Sequence, residues 1–210
     1  MQRFQSMTSK QTDPILSLDS ICVNYSGFKA IKEISLNIFP GEIHAIVGEH
    51  GAGKSSLGQV LSGIQKSSSG KIFFNNQILH QNNIKNAQRL GIRMVYQEPF
   101  LNEYFSVAEN LFYSRKYSDH LGFYNKQEVI SKAEKYLTEH GISIDPNIKV
   151  SALNLSDRTV IDILGNLYEE PRILILDEAL ERLSTESYDL ILPLLKKIRD
   201  SGTAIISITH

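Results

Sequence analysis

Apolar and polar positions alternate at period two over 15–25 and again over 31–39, the spacing of half-buried strands, so both segments are predicted as antiparallel β. Pro40-Gly41 predicts the turn that follows. A short apolar strand over 42–47 runs into a glycine-rich stretch. Helical spacing then covers 54–61 and ends at Gly63. Ser67, Ser68, Ser69 and Gly70 read as a turn before a strand over 71–75. A short helix over 84–90, stopped by Gly91, precedes a strand over 92–96. The middle of the chain is helical, over 107–112, 127–140 and 157–167. In the second of these Val129, Ile130, Ala133, Tyr136 and Leu137 share one packing face. The runs 172–176 and 203–209 are apolar almost throughout, as strands buried on both faces of a parallel sheet are. Between them lie a helix over 188–199 and a turn at Ser201-Gly202.

Composition narrows the classes. The 210 residues suffice for a real hydrophobic core, and a formal net charge of -1 gives no bulk attraction to nucleic acid. The single cysteine, Cys22, cannot form an internal disulfide and reads as a small buried residue of a strand, in keeping with a reducing compartment. Apolar runs such as 173–176 and 204–206 are far too short to span a bilayer. The first residues, MQRFQSMTSKQTDP, lack the apolar core of a secretory signal and read as a loose tail over 1–13.

The chemistry is concentrated in GEHGAGKSS, over 48–56. Gly48, Gly53, Lys54 and Ser55 fit the phosphate-binding pattern G-x-x-x-x-G-K-[ST], and the stretch sits between a predicted strand and a predicted helix. Glycines let successive backbone N–H groups of Gly48, Glu49, His50, Gly51, Ala52 and Gly53 curl toward phosphate oxygens. The helix that opens at Lys54 aims its positive end at the same oxygens. Lys54 reaches the outer phosphates, the Ser55 hydroxyl ligates Mg²⁺, and Ser56 completes the nucleotide-binding set. His50 reads as a tolerated loop residue. The apolar strand over 172–176 ends in Asp177 and Glu178 and delivers two carboxylates to the edge where open α/β sheets bind ligands. Asp177 is expected to hold the metal shell and Glu178 to orient the attacking water.

With these motifs in this order, the chain resembles the nucleotide-binding domain of ABC transporters, from about residue 16 to His210. The local wording VGEHGAGKSSL, VLSGI and GIRMVYQEPFLNEYFSVAENLF resembles the duplicated-cassette ATPases of monosaccharide importers. The resemblance implies an α/β P-loop NTPase fold with a mostly parallel core sheet. The RecA-like core, with its antiparallel β part, would occupy 14–98 and 168–210, and a helical subdomain 99–167. It implies ATP and Mg²⁺ as ligands. It places Tyr25 as the ring that stacks on adenine, Gln97 as a contact to metal and water, and His210 as the switch histidine at the γ-phosphate. Pro99, Phe100 and Tyr104, near Gln97, resemble a dock for a membrane subunit. The implied partners are a second ATP-binding cassette, transmembrane permease subunits and, indirectly, a solute-binding protein. The implied location is peripheral, at the cytoplasmic face of the membrane.

Two segments depart from the family. The LSGGQ-like signature, which binds the nucleotide of an opposing cassette, becomes Leu153, Asn154, Leu155, Ser156 and Asp157. A register beginning two residues later keeps a Leu-Ser pair but breaks the spacing to Asp177. Ser156 adds a Cβ where backbone must approach phosphate. Asp157 adds a carboxylate, a repulsion of about 3 kcal/mol at about 5 Å and an effective dielectric of about 20, which Arg158 could partly offset. Ser156 or Asp157 could equally cap the helix. After Glu178, Ala179-Leu180-Glu181-Arg182-Leu183-Ser184 replaces the usual small-residue loop. The expected function is an ATP-hydrolysing subunit of an importer for a sugar or similar solute, with one composite site weakened. The alternatives are a non-hydrolysing regulatory cassette, or a soluble ATPase of the same family acting on ribosomes or DNA. The chain is expected to be the N-terminal piece of a longer protein, poorly active alone.

Overall fold

A computed structural model describes residues 13–25, 27–80, 82–112 and 125–210. Two sheets, six α-helices and two short 3₁₀ turns, Val150–Ala152 and Ala179–Arg182, make up the described residues. The strands are β1 (Leu16–Tyr25), β2 (Phe28–Ile38), β3 (Ile43–Val47), β4 (Ser69–Phe74), β5 (Gln77–Ile78), β6 (Ile92–Val95), β7 (Ile173–Asp177) and β8 (Ala204–Thr209). The helices are α1 (Lys54–Leu61), α2 (Ile84–Arg89), α3 (Val107–Phe112), α4 (Lys126–Glu139), α5 (Leu155–Leu167) and α6 (Thr185–Asp200). The expected tail, 1–13, lies outside the described residues except for Asp13.

The first sheet is antiparallel, in the order β2-β1-β4-β5. Its alternation is visible in β1, where Leu16, Leu18, Ile21 and Val23 are buried and the residues between them are less so. The second sheet, β3-β8-β7-β6, is parallel throughout. Every residue of β7 is buried, as its ILILD sequence requires.

β7 divides two hydrophobic cores. Ile173 and Ile175 face α1 and the antiparallel sheet, in one core with Leu57, Val60, Leu61, Ile21 and Phe74. Leu174 and Leu176 face the helical part, in a second core with Leu111, Phe112, Val129, Ile161 and Leu164. Alternate side chains of a strand leave opposite faces, so one strand anchors both layers.

Several elements differ from the expected ones, and β2 starts at Phe28, three residues early. Ser69 and Gly70 belong to β4 rather than to a turn. Gly70 stands at φ 90°, opposite an irregularity in β1, and a Cβ there would lie 2.4 Å from the carbonyl oxygen of Ser20. It is the strand residue facing a bulge at Ser20 and Ile21 of β1, which composition alone cannot separate from a turn. The two-residue β5, paired with β4 across the Asn75-Asn76 turn with both φ positive, is not among the expected strands. α5 starts at Leu155, two residues early, because Asn154 caps it, and α6 starts at Thr185 because Ser184 caps it.

Candidate active site

The strands of a parallel sheet present their C-terminal ends along one edge, where the loops that follow them converge. β3 leads into the glycine loop, β6 is followed by Gln97, β7 ends in Asp177 and Glu178, and β8 is followed by His210. The motifs assign all of these to one site, and the topology brings them together.

The glycine loop closes on α1 through Gly53, which stands at φ 89°. A Cβ at this position would fall 2.1 Å from the Ala30 carbonyl oxygen, so both the backbone angle and the β2 wall behind it require glycine. α1 has no side-chain cap and no acidic residue in its first turn. By contrast α4, α5 and α6 are capped by Asn125, Asn154 and Ser184. The first backbone N–H groups of α1 therefore keep their capacity for an anion, at the end where the helix dipole favours one. Lys54 is buried, and its Nζ donates to the carbonyl oxygens of Gly48 at 2.7 Å and Glu49 at 3.0 Å. That holds a single cation inside the loop.

The Ser55 hydroxyl donates to Asp177 Oδ1 at 3.0 Å. Burial pushes the Asp177 carboxyl above the usual carboxylate range, with the Glu178 charge in the same direction; the Ser55 bond and Lys54 act against the rise. A hydroxyl and a carboxylate so placed, with the side-chain oxygen of Gln97 nearby in sequence to β6, are hard oxygen donors of the kind Mg²⁺ takes.

Glu178 is almost fully buried and is held from two sides. Gln97 Nε2 donates to its Oε2 at 2.7 Å, and His210 Nε2 lies 3.0 Å from its Oε1. Its backbone is left-handed, at φ 51° and ψ 15°, which turns the carboxylate out of the strand direction. The ring of His50 is 5.7 Å from that of His210, at the mouth of the loop. Tyr25 is half exposed and its hydroxyl reaches Ser56 Oγ at 3.4 Å, which places the ring beside the loop.

Two positioning residues have no sequence signal. Glu181 accepts from Thr209 Oγ1 at 2.7 Å. That bond, more than the nearby His210 and Lys54, holds the Glu181 carboxyl below its ordinary range. Glu181 thus braces the strand end that carries His210, and only the three-dimensional pairing of the turn after β7 with the end of β8 could have revealed it.

The LNLSD stretch sits apart, at the start of α5. Asn154 Oδ1 accepts from the Asp157 N–H at 2.8 Å, and its Nδ2 donates to Asp157 Oδ2 at 2.9 Å. Ser156 Oγ accepts from the Ser184 N–H at 2.9 Å and lies 3.0 Å from Ser187 Oγ. Leu153 and Leu155 flank this turn, with Leu155 exposed. Arg158, expected to offset the Asp157 charge, instead bonds Glu103 Oε1 at 2.9 Å and the carbonyl oxygens of Leu153 and Ser151.

The family profile described as ABC transporter matches residues 31–181. The chain belongs to the ABC transporter family. Among relatives of this ABC chain is a ribose import ATP-binding protein, RbsA 2, of Escherichia coli O157:H7. It is 36% identical over 197 residues, 94% of this chain and 39% of that protein. An arabinose import ATP-binding protein, AraG, of Rhizobium meliloti (strain 1021) is 32% identical over 195 residues, 93% of this chain and 38% of its own length. The ABC chain thus spans about two fifths of the curated relatives it matches. Among solved structures, cbiO1 from Clostridium perfringens, part of the ABC transporter complex cbiONQ, superposes with a TM-score of 0.73 at 31% identity, covering 94% of this chain and 79% of that one. A nucleotide-free ATP-binding cassette from an ABC transporter gives a TM-score of 0.78 at 22% identity, over 94% and 81% of the two chains. These likenesses show the P-loop α/β fold.

Proposed function

We propose that this chain is an ATP-binding cassette of an importer, coupling hydrolysis of ATP to uptake of a sugar or similar small solute. The observation that carries the reading is the convergence on one sheet edge of an uncapped α1 N-terminus, the Ser55–Asp177 bond and the Gln97–Glu178–His210 contact set. The ribose and arabinose import names of the relatives support the solute class.

In this reading the loop residues from Gly48 to Ser56 bind the triphosphate through backbone N–H groups and Lys54, and Tyr25 stacks on the base. Ser55, Gln97 and Asp177 hold Mg²⁺, which when bound supplies charge neutralisation at the phosphates. Glu178 orients a water for in-line attack on the γ-phosphorus. The P–O bond to the β-phosphate oxygen breaks, and ADP and phosphate leave. Gln97 and His210 keep the Glu178 carboxylate aimed, so positioning and charge placement carry the rate. The partners are a second cassette, transmembrane permease subunits, and through them a solute-binding protein. No helix among the described residues is long and apolar enough to cross a membrane. The cassette sits peripherally at the cytoplasmic face, docked through Phe100 and Tyr104, both 85% exposed.

A regulatory, non-hydrolysing cassette is favoured by one observation, the internally satisfied LNLSD turn. Titration of the full-length protein with labelled Mg·ATP, and its ATPase rate, decide the matter. Saturable uptake lost in Lys54→Ala, with turnover lost in Glu178→Gln, supports the importer motor. Uptake without turnover selects the regulatory reading, and no uptake refutes both.

A further inference from the structure

Two glutamates and two histidines meet at the mouth of the glycine loop. His210 Nε2 lies 3.0 Å from Glu178 Oε1. One potential ligand atom from each of Glu178, Glu181 and His210 lies within 4.8 Å of the other two. Among the described residues no other three His, Cys, Asp or Glu side chains come so close together. Around a tetrahedral zinc ion, with bonds of about 2.0–2.2 Å, donor atoms stand about 3.4 Å apart. The three side chains therefore need to close in by at most about 1.4 Å, and Glu181 and His210 are exposed enough to do so. His50 is exposed on the loop, and its ring is centred 5.7 Å from that of His210. Two imidazoles on one such ion have ring centres about 5 Å apart, so a fourth donor is in reach.

Neutral donors steady both carboxylates. Gln97 Nε2 bonds Glu178 Oε2 at 2.7 Å and leaves Oε1 to His210, and Thr209 Oγ1 bonds Glu181 Oε1 at 2.7 Å. Outer bonds of this kind orient the ligands of metal sites. The nearby cation is Lys54, whose Nζ is engaged by the carbonyls of Gly48 and Glu49. Two carboxylates against one lysine leave the cluster net negative. Its donors also differ from the oxygen pair of Ser55 and Asp177, which suits Mg²⁺, because imidazole with carboxylate suits zinc and its neighbours in the transition series.

We infer that Glu178, Glu181 and His210, with His50 as fourth ligand, form a site for a divalent transition-metal ion of the zinc class, and that an ion held there stops hydrolysis. Its binding displaces the proton of the His210–Glu178 bond to solvent. Metal uptake stands on the cluster alone. The effect on turnover rests on the ATPase reading above, because the ion takes the carboxylate that orients the water.

The test titrates full-length protein in excess Mg²⁺ with ZnCl₂ against a chromophoric chelator, and with CoCl₂ for its visible spectrum. Saturable zinc uptake and the intense bands of four-coordinate cobalt are expected. Glu181→Gln and His50→Asn should each lower zinc affinity about tenfold or more, and Glu181→Gln should remove the cobalt bands. Parent-like affinity in Glu181→Gln would overturn the site, and parent-like affinity in His50→Asn would overturn the fourth ligand. A parent spectrum of six-coordinate aqua cobalt would also overturn the site, and it needs no variant to fold. Zinc should slow Mg·ATP turnover of the parent as the site fills, with about tenfold more zinc needed in Glu181→Gln, each against its own zinc-free rate. Uptake without slowing would refute the inhibitory role. A protein that takes up zinc but never hydrolyses ATP would fail the ATPase reading and keep the metal site.

Discussion

Asp162, only 6% exposed on α5, loses its charge in Asp162→Asn at almost constant shape, and the effect on folding can be worked from the structure. Burial, opposed by the bonds from the Phe100 N–H and Asn166, raises the carboxyl from 3.8 to about 7. The folded chain therefore holds a proton that the unfolded chain has already released. Stability linked to that proton is fully present below about pH 4, declines as pH rises, and is gone above about pH 7. The gap between 3.8 and about 7, at about 1.36 kcal/mol per pH unit, amounts to about 4 kcal/mol. The variant escapes this loss. Its advantage over the parent grows by about 2.6 kcal/mol between about pH 5 and about pH 8, on top of a constant from the exchanged amide bonds. Other titrating groups, Asp177 among them, are common to both proteins and cancel in the difference. Urea unfolding of parent and variant at the two pH values, read by far-ultraviolet circular dichroism, measures it. A difference that stays flat with pH would refute the assignment of a high-pKa acid at this position.

Three further outcomes follow from the geometry. Gly53→Ala should lower stability by at least about 2 kcal/mol and abolish Mg·ATP uptake, since the new Cβ meets the Ala30 carbonyl oxygen and φ is positive; thermal melts and nucleotide titration read both effects, and a near-native variant would contradict the clash. Ile175→Ala should destabilise by about 2–5 kcal/mol, as it opens a cavity under a fully buried strand; a denaturant midpoint within error of the parent would count against the packing described. Asn154→Ala should cost about 1 kcal/mol through loss of the α5 cap, whereas Asn154→Ser, Ser156→Gly and Asp157→Gln together should strengthen nucleotide hydrolysis at the site opposite this cassette and leave the Lys54 site unchanged. Single-turnover assays with either site disabled separate the two, and equal activation of both would refute the asymmetry.

Much of this architecture is visible in the order of residues because it is local. Period-two alternation marks β1 and β2, the ILILD run marks β7, and the glycine spacing marks the loop with its helix. The elements that escaped depend on contacts between distant segments. Gly70 looks like a turn residue until the carbonyl of Ser20 lies against it. The caps Asn154 and Ser184 act over three residues, but Ser156 Oγ reaches the Ser184 N–H and Ser187 Oγ across 28 and 31 residues. The Glu181–Thr209 bond joins the turn after β7 to the end of β8. Asp162 is hidden for a different reason: a charge on a helix reads as a wet position, and only the fold takes it out of water, with the Phe100 N–H bonded to it.

The Ala30 carbonyl that presses on Gly53 makes the antiparallel sheet the back wall of the phosphate cradle. The loop cannot shift toward that wall without moving the backbone of 28–38, and that strand cannot fray without releasing the loop. Nucleotide occupancy should then be written into amide hydrogen exchange far from any phosphate, as slower exchange along the N-terminal hairpin. A layer that carries none of the reacting groups becomes a sensor of whether the cradle is filled.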